Sequence, residues 1–303
     1  MTMHDDQIEI GAPAVRELVR RQFPAWRQLP VTRLESPGTV NAIFRLGDRL
    51  AARFPLRAGA PDEVRRELET EAAAAAELAG HTRFATPEPV AIGEPGAGYP
   101  LPWSVQTWLP GQTANEEDPG RSEAFARDLA EFITGVRSIG TGGRAFSGGG
   151  RGGDLASHDP WVQDCLRRSE GLLDVPRLSR IWAALRDLPR VPGGEVMSHK
   201  DLIPGNVLVS GGRLAGVLDV GGLGPADPAL DLVGGWHLLE TGPRAVLRAA
   251  LGCGDLEWRR GMAWAFEQAI GLVEYYQHTN PPMSALGART LRRLTEAAPA
   301  GLS

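Results

Sequence analysis

Cysteine is nearly absent from this chain. Only Cys165 and Cys253 occur in 303 residues, and their spacing fits neither a metal-ligand pattern nor a disulfide framework. A reduced, cytoplasmic setting is the default for such a composition. No apolar run reaches the ~18 residues needed to span a bilayer. The opening MTMHDDQIEI is acidic and has no apolar core of the kind a secretory signal requires. A strong charge of one sign is also missing. The net charge of −5 is mild, which argues against a nucleic-acid partner and suits cationic small ligands. No segment ends in the Gly-Lys-Ser/Thr of a Walker-type phosphate loop. The expected partner is a small molecule, with no nucleic acid, membrane or protein partner indicated.

With 42% hydrophobic and 23% charged residues, the chain can bury a sizeable core, in one large domain or two smaller ones. APAVRELVRRQ places Val15, Leu18 and Val19 at helical spacing. The stretch VTRLESPGTVNAIFRLGDRLAARFP reads as three short strands, with a hairpin turn at Leu46-Gly47-Asp48-Arg49. A helix is predicted from Pro61 to Gly80, with proline at its first turn, early acids and five consecutive alanines. Two more strands follow, the second from Trp103 to Leu109. Beyond 111 the pattern becomes helical, as in EAFARDLAEFITGVRSI, where Phe125, Leu129, Phe132, Ile133 and Val136 share a face. GTGGRAFSGGGRGGDLASHD is a glycine-rich loop, either functional or a plain linker. NVLVS and LAGVLDV flank GGR as a hairpin. The expected organisation is α+β: an N-terminal antiparallel sheet with one key helix over 1–107, then a larger, mostly helical unit over 108–303.

Four features could carry chemistry. The first is SHKDLIPGNVLV, which sets Asp201 and Asn206 five positions apart across a Pro-Gly break. A carboxylate beside a neutral oxygen donor suits phosphoryl transfer with Mg²⁺, although Asp before Pro-Gly-Asn is also a common turn. The second is GVLDVGG. A hairpin between Asp201 and Asp219 would bring both carboxylates to one cleft, where the second could hold a metal. The third is Arg53 with a carboxylate of the alanine-rich helix. Glu71 is the candidate, Glu67 shares its face, and Glu69 points away. The fourth is SPGTVN, beginning at Ser36, which could cover phosphates with backbone N–H groups but has a single glycine.

The order of these features is that of a kinase fold. HKDLIPGN, LDVGG and ADPALDL together resemble the aminoglycoside phosphotransferase family of small-molecule kinases. Its usual pattern is His-Gly-Asp-Leu-His-Pro-Gly-Asn, then Ile-Asp-Phe/Trp-Gly, then Gly-Asp-Pro-x-x-Asp-Leu. FRLGDRLAARFP and WSVQTWLPG extend the likeness over nearly the whole chain. A protein kinase fits poorly, since eight positions from Asp219 to Asp227 leave no room for an activation segment and no Ala-Pro-Glu occurs.

The resemblance implies a protein-kinase-like two-lobe fold and transfer of the γ-phosphate of ATP, with GTP as an alternative, to a hydroxyl of a small cationic molecule. An aminoglycoside or related antibiotic leads. A metabolic sugar, choline-like compound or amino alcohol is the alternative, and a non-catalytic nucleotide-binding protein is a further one. Asp201 would be the catalytic carboxylate. Asn206 and Asp219 would hold Mg²⁺. Arg53 would bind phosphates, steadied by Glu71, with Ser36 nearby and the backbone of Thr107 and Leu109 on the base. Asp227 would brace its loop. Glu240, Glu274 and Asp159 are the candidates for cationic groups on the acceptor. Lys200, Ile203 and Val220 depart from the family pattern. Lys200 could lower the pKa of Asp201, sit over the transferring phosphate, or pair elsewhere.

Overall fold

The computed structural model describes residues 8–34, 40–148 and 150–298. The chain divides into two compact units: residues up to 79 together with 85–110, and 80–84 together with 111 onward.

In the first unit, α1 (Ala12–Gln22) precedes the strands β1 (Val31–Arg33), β2 (Asn41–Leu46) and β3 (Leu50–Pro55). Helix α2 (Pro61–Leu78) then leads to β4 (Pro89–Gly93) and β5 (Trp103–Thr107). The five strands form one antiparallel sheet in the order β1-β2-β3-β5-β4. The predicted hairpin is present, with Leu46 opposite Leu50 and Gly47 at φ 59°. Ala42, Phe44 and Leu46 alternate into the core of this unit, where the Phe54 and Trp103 rings stack at 4.8 Å. Hydrophobic alternation therefore decides which face of β2 is buried, and leaves Arg53 of β3 on the opposite face from Phe54. Helix α2 stops two residues earlier than predicted, at Leu78, ahead of Gly80 at φ 82°. Strand β5 likewise ends at Thr107 rather than at Leu109.

The second unit holds β6 (Gln112–Thr113), α3 (Glu123–Arg137), α4 (Asp159–Arg168) and α5 (Val175–Leu185). Next come β7 (Val196–Ser198), β8 (Val207–Ser210), β9 (Arg213–Val217) and β10 (Gly224–Ala226). It closes with α6 (Val233–Leu238), α7 (Thr241–Leu251), α8 (Asp255–Tyr275) and α9 (Pro281–Ala297). The α+β class is the one expected, an antiparallel sheet with one helix in its midst and then mostly helices. Two small sheets refine it. β8 pairs with β9 as predicted and also with β6, while β7 pairs with β10. Strand β9 ends at Val217, two residues short of Asp219.

The core of this unit centres on α8. Trp264, Phe266, Ala269 and Ile270 are fully buried against Leu230, Leu232, Trp182 and Leu294. Gly261 permits the approach: a Cβ there would lie 2.6 Å from the Cβ of Leu232. That contact fixes α8 beside the short 3-10 turn Leu230–Leu232. Among the described residues, no helix is long and apolar enough to cross a membrane.

Candidate active site

The segment from His199 to Asn206 bridges β7 and β8. Its polar backbone must be satisfied without a strand partner, and one buried carboxylate supplies much of that. Asp231 accepts from Ser198 Oγ at 2.7 Å, from the His199 N–H at 2.9 Å and from the Lys200 N–H at 2.9 Å. Because Asp231 sits on the turn held against α8, the helical core dictates where this loop begins.

His199 is fully buried and acts within the loop rather than on a ligand. Its Nε2 lies 3.0 Å from the Leu218 carbonyl, which must accept, so the proton sits on Nε2. Nδ1 then accepts from the Asp201 N–H at 3.3 Å. The ring ties the Asp201 backbone to the end of the β8–β9 hairpin.

Asp201 itself is half-buried, and both of its carboxylate oxygens are engaged. Oδ2 accepts from Asn206 Nδ2 at 2.8 Å, and the same nitrogen reaches the Asp201 carbonyl at 3.0 Å. Oδ1 accepts from Gln268 Nε2 at 3.1 Å and lies 3.4 Å from Arg151 Nη2. The two bonds from Nδ2 settle the orientation of the Asn206 amide. They leave Oδ1 of Asn206 as a neutral oxygen that accepts nothing among the described residues.

Asp219 follows the hairpin. The Leu218 N–H donates to the Asn206 carbonyl at 2.7 Å, so Leu218 continues the register opposite Asn206 and Asp219 is the next residue. Asp219 is exposed and adopts φ 55° and ψ 50°. A left-handed aspartate costs about 1–2 kcal/mol, and such strain concentrates where a side chain has a task. One amide oxygen and one exposed carboxylate fit Mg²⁺, which takes one or two protein oxygens and completes its shell with phosphate and water. No group of three or more His, Cys, Asp or Glu suited to a metal occurs among the described residues, so an all-protein cage is not on offer.

Lys200 shares the left-handed geometry, at φ 75°. Its ammonium lies 5.9 Å from the centre of the Phe146 ring and faces Gly224, where a Cβ would sit 2.9 Å away. Burial pushes its pKa down, against the pull of Asp231 and Glu195.

In the first unit Arg53 Nη1 and Glu71 Oε2 form an ion pair at 3.2 Å, with side chains 13% and 38% exposed. The Thr107 N–H donates to the Glu88 carbonyl, and its hydroxyl accepts from the Glu88 N–H, both at 2.9 Å. The Thr107 N–H is thereby committed to the sheet. The Leu109 N–H has no hydrogen-bond partner among the described residues. Ser36 lies outside them.

The three carboxylates considered for acceptor binding all have partners inside the second unit. Glu240 accepts from buried Arg293 at 2.6 Å, and that guanidinium holds its carboxyl below the ordinary range. Asp159 accepts from Trp182 Nε1 at 2.8 Å, Arg186 Nη1 at 2.9 Å and Gln163 at 3.1 Å. Burial pulls its pKa up, but these donors together outweigh it and hold it low. Glu274 stands 3.4 Å from Arg168. Asp227 accepts from Arg260 Nε at 2.8 Å, Trp264 Nε1 at 2.9 Å and the Ala229 N–H at 3.0 Å, all in the core.

Three residues of this geometry escape a reading of the sequence. Asp231 is visible as the second aspartate of ADPALDL, but nothing in the string says that it, rather than Asp227, holds the loop. Arg151 sits in the glycine-rich segment, whose length is the only hint of a role. Gln268 lies on α8 beside Glu267, among other polar positions, and carries no signal of its own.

The first unit carries an Arg-Glu pair, and the second carries an Asp-Asn loop followed by a hairpin that leads to an Asp. A profile of the Phosphotransferase enzyme family matches residues 31–264, and the chain belongs to that family. An aminoglycoside 3'-phosphotransferase of Salmonella typhimurium is 29% identical over 149 residues, 45% of this chain. The chain spans about half the length of that relative, 52%. Among solved structures, the GDP complex of aminoglycoside 2'-phosphotransferase-IIIa superposes with a TM-score of 0.68 at 19% identity, covering 95% of this chain and 99% of that one. Macrolide 2'-phosphotransferase from Brachybacterium faecium gives 0.60 at 20% identity, covering 92% and 97%. At these identities the likeness establishes the fold.

Proposed function

We propose that this protein transfers the γ-phosphoryl group of ATP or GTP to a hydroxyl of a small molecule, an antibiotic of the aminoglycoside or macrolide kind. One observation carries the reading: Asp201 is gripped at both carboxylate oxygens in a loop that also presents Asn206 Oδ1, and the hairpin that follows this loop leads to Asp219 in a left-handed conformation. Phosphoryl transfer asks little covalent chemistry of a protein and much positioning and charge stabilisation. Asp201 accepts the hydrogen bond of the acceptor hydroxyl, orients its oxygen for attack on the γ-phosphorus and takes its proton. Asn206 Oδ1 and Asp219 hold Mg²⁺. When bound there, it would supply charge neutralisation at the phosphate oxygens. In the sheet-bearing unit Arg53, braced by Glu71, binds phosphate, and the Leu109 N–H and the Thr107 backbone serve the base.

Relatives support the nucleotide and the acceptor class. One neighbour is a complex with GDP and kanamycin, and another is an ADP complex. Glu240 and Asp159 already hold guanidinium partners, which weakens them as contacts to a polycation. A macrolide therefore stands beside the aminoglycosides in the test. The test is a phosphate-transfer screen with both nucleotides over kanamycin, gentamicin, streptomycin, a macrolide and small amino alcohols. Transfer to an antibiotic, lost in Asp201→Ala with nucleotide binding retained, is the expected result. Near-normal turnover by Asp201→Ala overturns the assignment. Transfer confined to amino alcohols or sugars moves the protein to a metabolic role.

A further inference from the structure

Asp201 Oδ1 is met by a donor from the centre of the helical core. Gln268 Nε2 donates to it at 3.1 Å. A carboxylate can only accept here, so the Gln268 amide is oriented with its Oε1 pointing the other way. That oxygen lies 3.0 Å from His237 Nε2, which must carry the proton. His237 Nδ1 is then the acceptor, and the Thr290 hydroxyl donates to it at 2.9 Å. Thr290, His237 and Gln268 are all buried, at 0%, 1% and 7% exposure. Burial keeps the His237 ring neutral at ordinary pH, with its pKa near 4. Each hydrogen bond in this chain points the same way, from α9 through α6 and α8 to Asp201. Donors aligned in series polarise one another and strengthen the last bond.

We infer that Gln268 is a positioning residue for Asp201, locked by the neutral His237–Thr290 pair behind it. The inference rests on the reading of Asp201 as the catalytic carboxylate. Asn206 grips Oδ2 from within the loop, and Gln268 grips Oδ1 from α8. With both oxygens held, the carboxylate plane cannot rotate, and its remaining lone pairs keep one direction for an acceptor oxygen. Without Gln268, Oδ1 keeps only the longer contact from Arg151 Nη2 at 3.4 Å, against 3.1 Å from Gln268. His237 serves because a buried neutral imidazole offers one donor and one acceptor on opposite edges; the accepting Gln268 Oε1 fixes the proton on Nε2, and the Thr290 hydroxyl satisfies Nδ1.

The test compares Gln268→Met, His237→Leu, His237→Gln and the double variant Gln268→Met/His237→Leu in the full chain. Methionine keeps the length of glutamine without its amide. Glutamine at 237 keeps an N–H toward Gln268, and leucine does not. The readouts are kcat and KM for Mg²⁺–ATP and Mg²⁺–GTP hydrolysis with water as acceptor, nucleotide Kd by calorimetry, and Tm. Gln268→Met should lower kcat about 10- to 100-fold, the scale expected when a reacting group is misplaced by ~1 Å, with nucleotide Kd unchanged. His237→Leu should fall similarly, His237→Gln should recover most of the loss, and the double variant should be no worse than Gln268→Met alone. A kcat for Gln268→Met within twofold of the parent, while Asp201→Asn is inactive, overturns the relay and leaves Asp201 in place. Losses in the double variant that multiply, or His237→Gln as poor as His237→Leu, likewise overturn it. Turnover retained by Asp201→Asn, or none in the parent, overturns the reading of Asp201 itself.

Discussion

The carboxamide of Asn206 donates to Asp201 twice through one nitrogen, at 2.8 Å to Oδ2 and 3.0 Å to the carbonyl. The residue thus has two jobs, which one substitution can separate. Asn206→Asp keeps an oxygen for a metal but replaces the donor with a second carboxylate facing Asp201. Like charges at that range repel, and one of the pair will resist ionisation. Activity should fall by about 100-fold or more, with Mg²⁺-dependent nucleotide binding retained in calorimetry. Binding lost along with activity would mean that the donor role is secondary.

Asp231 and Asp227 lie in one short motif but hold different things, and their asparagine variants should differ. Asp231→Asn turns one accepting oxygen into a donor, set against either the His199 N–H or the Lys200 N–H. A stability loss of about 1–3 kcal/mol is expected, with kcat reduced because the loop start is released. Asp227→Asn strips the charge partner from the buried Arg260 guanidinium and should cost more, about 3–5 kcal/mol. Urea unfolding, with kcat per folded molecule measured alongside, checks both.

The Arg53–Glu71 pair is partly exposed, so its worth to folding is small, below about 1 kcal/mol. Its worth to nucleotide binding is a separate matter. Arg53→Ala should weaken Mg²⁺–ATP binding by about 10-fold, one charged hydrogen bond's worth, with Tm nearly unchanged. Glu71→Gln should give a smaller effect, and the double variant should be less than additive. Additive losses by calorimetry would show that Glu71 does not act through Arg53.

Buried His237 and half-buried His158 give opposite pH signatures. Burial lowers His237 to about 4, below the ordinary value near 6.5. Between those values the unfolded chain holds the extra proton, so stability is complete above ~6.5 and falls by about 3 kcal/mol as the pH drops toward 4. His158 is raised, first by its 2.9 Å hydrogen bond to Glu267. Its contribution is fully present below ~6.5 and is lost as the pH rises through the elevated value. Unfolding free energies of His237→Gln should therefore lose the acid slope. Those of His158→Gln should lie further below the parent near pH ~6 than near pH ~9.

Much of the first unit was legible because its signals are local. The LGDR turn needs Gly47 at positive φ, and the alternation of Ala42, Phe44 and Leu46 is a property of consecutive residues. Proline at the start of α2 and its alanine run are local as well. The boundaries at Leu78 and Thr107 were less legible, since fraying and pairing with a distant strand decide them.

In the loop, sequence alone determined the chemistry on offer: a carboxylate at 201, a carboxamide at 206, and a second carboxylate at 219 at the far end of a hairpin. The short spacing of the first two let the Asn206 amide reach back to Asp201 within one loop. Only the tertiary structure decided what holds them. Asp231 reaches back more than thirty residues to the amides of His199 and Lys200, and Gln268 reaches 67 residues to Asp201. It also decided that Lys200 turns to Phe146 and that Glu240 and Asp159 belong to Arg293 and Arg186. Such partners are chosen by the packing of distant segments, and a buried polar group must take whichever partner that packing delivers.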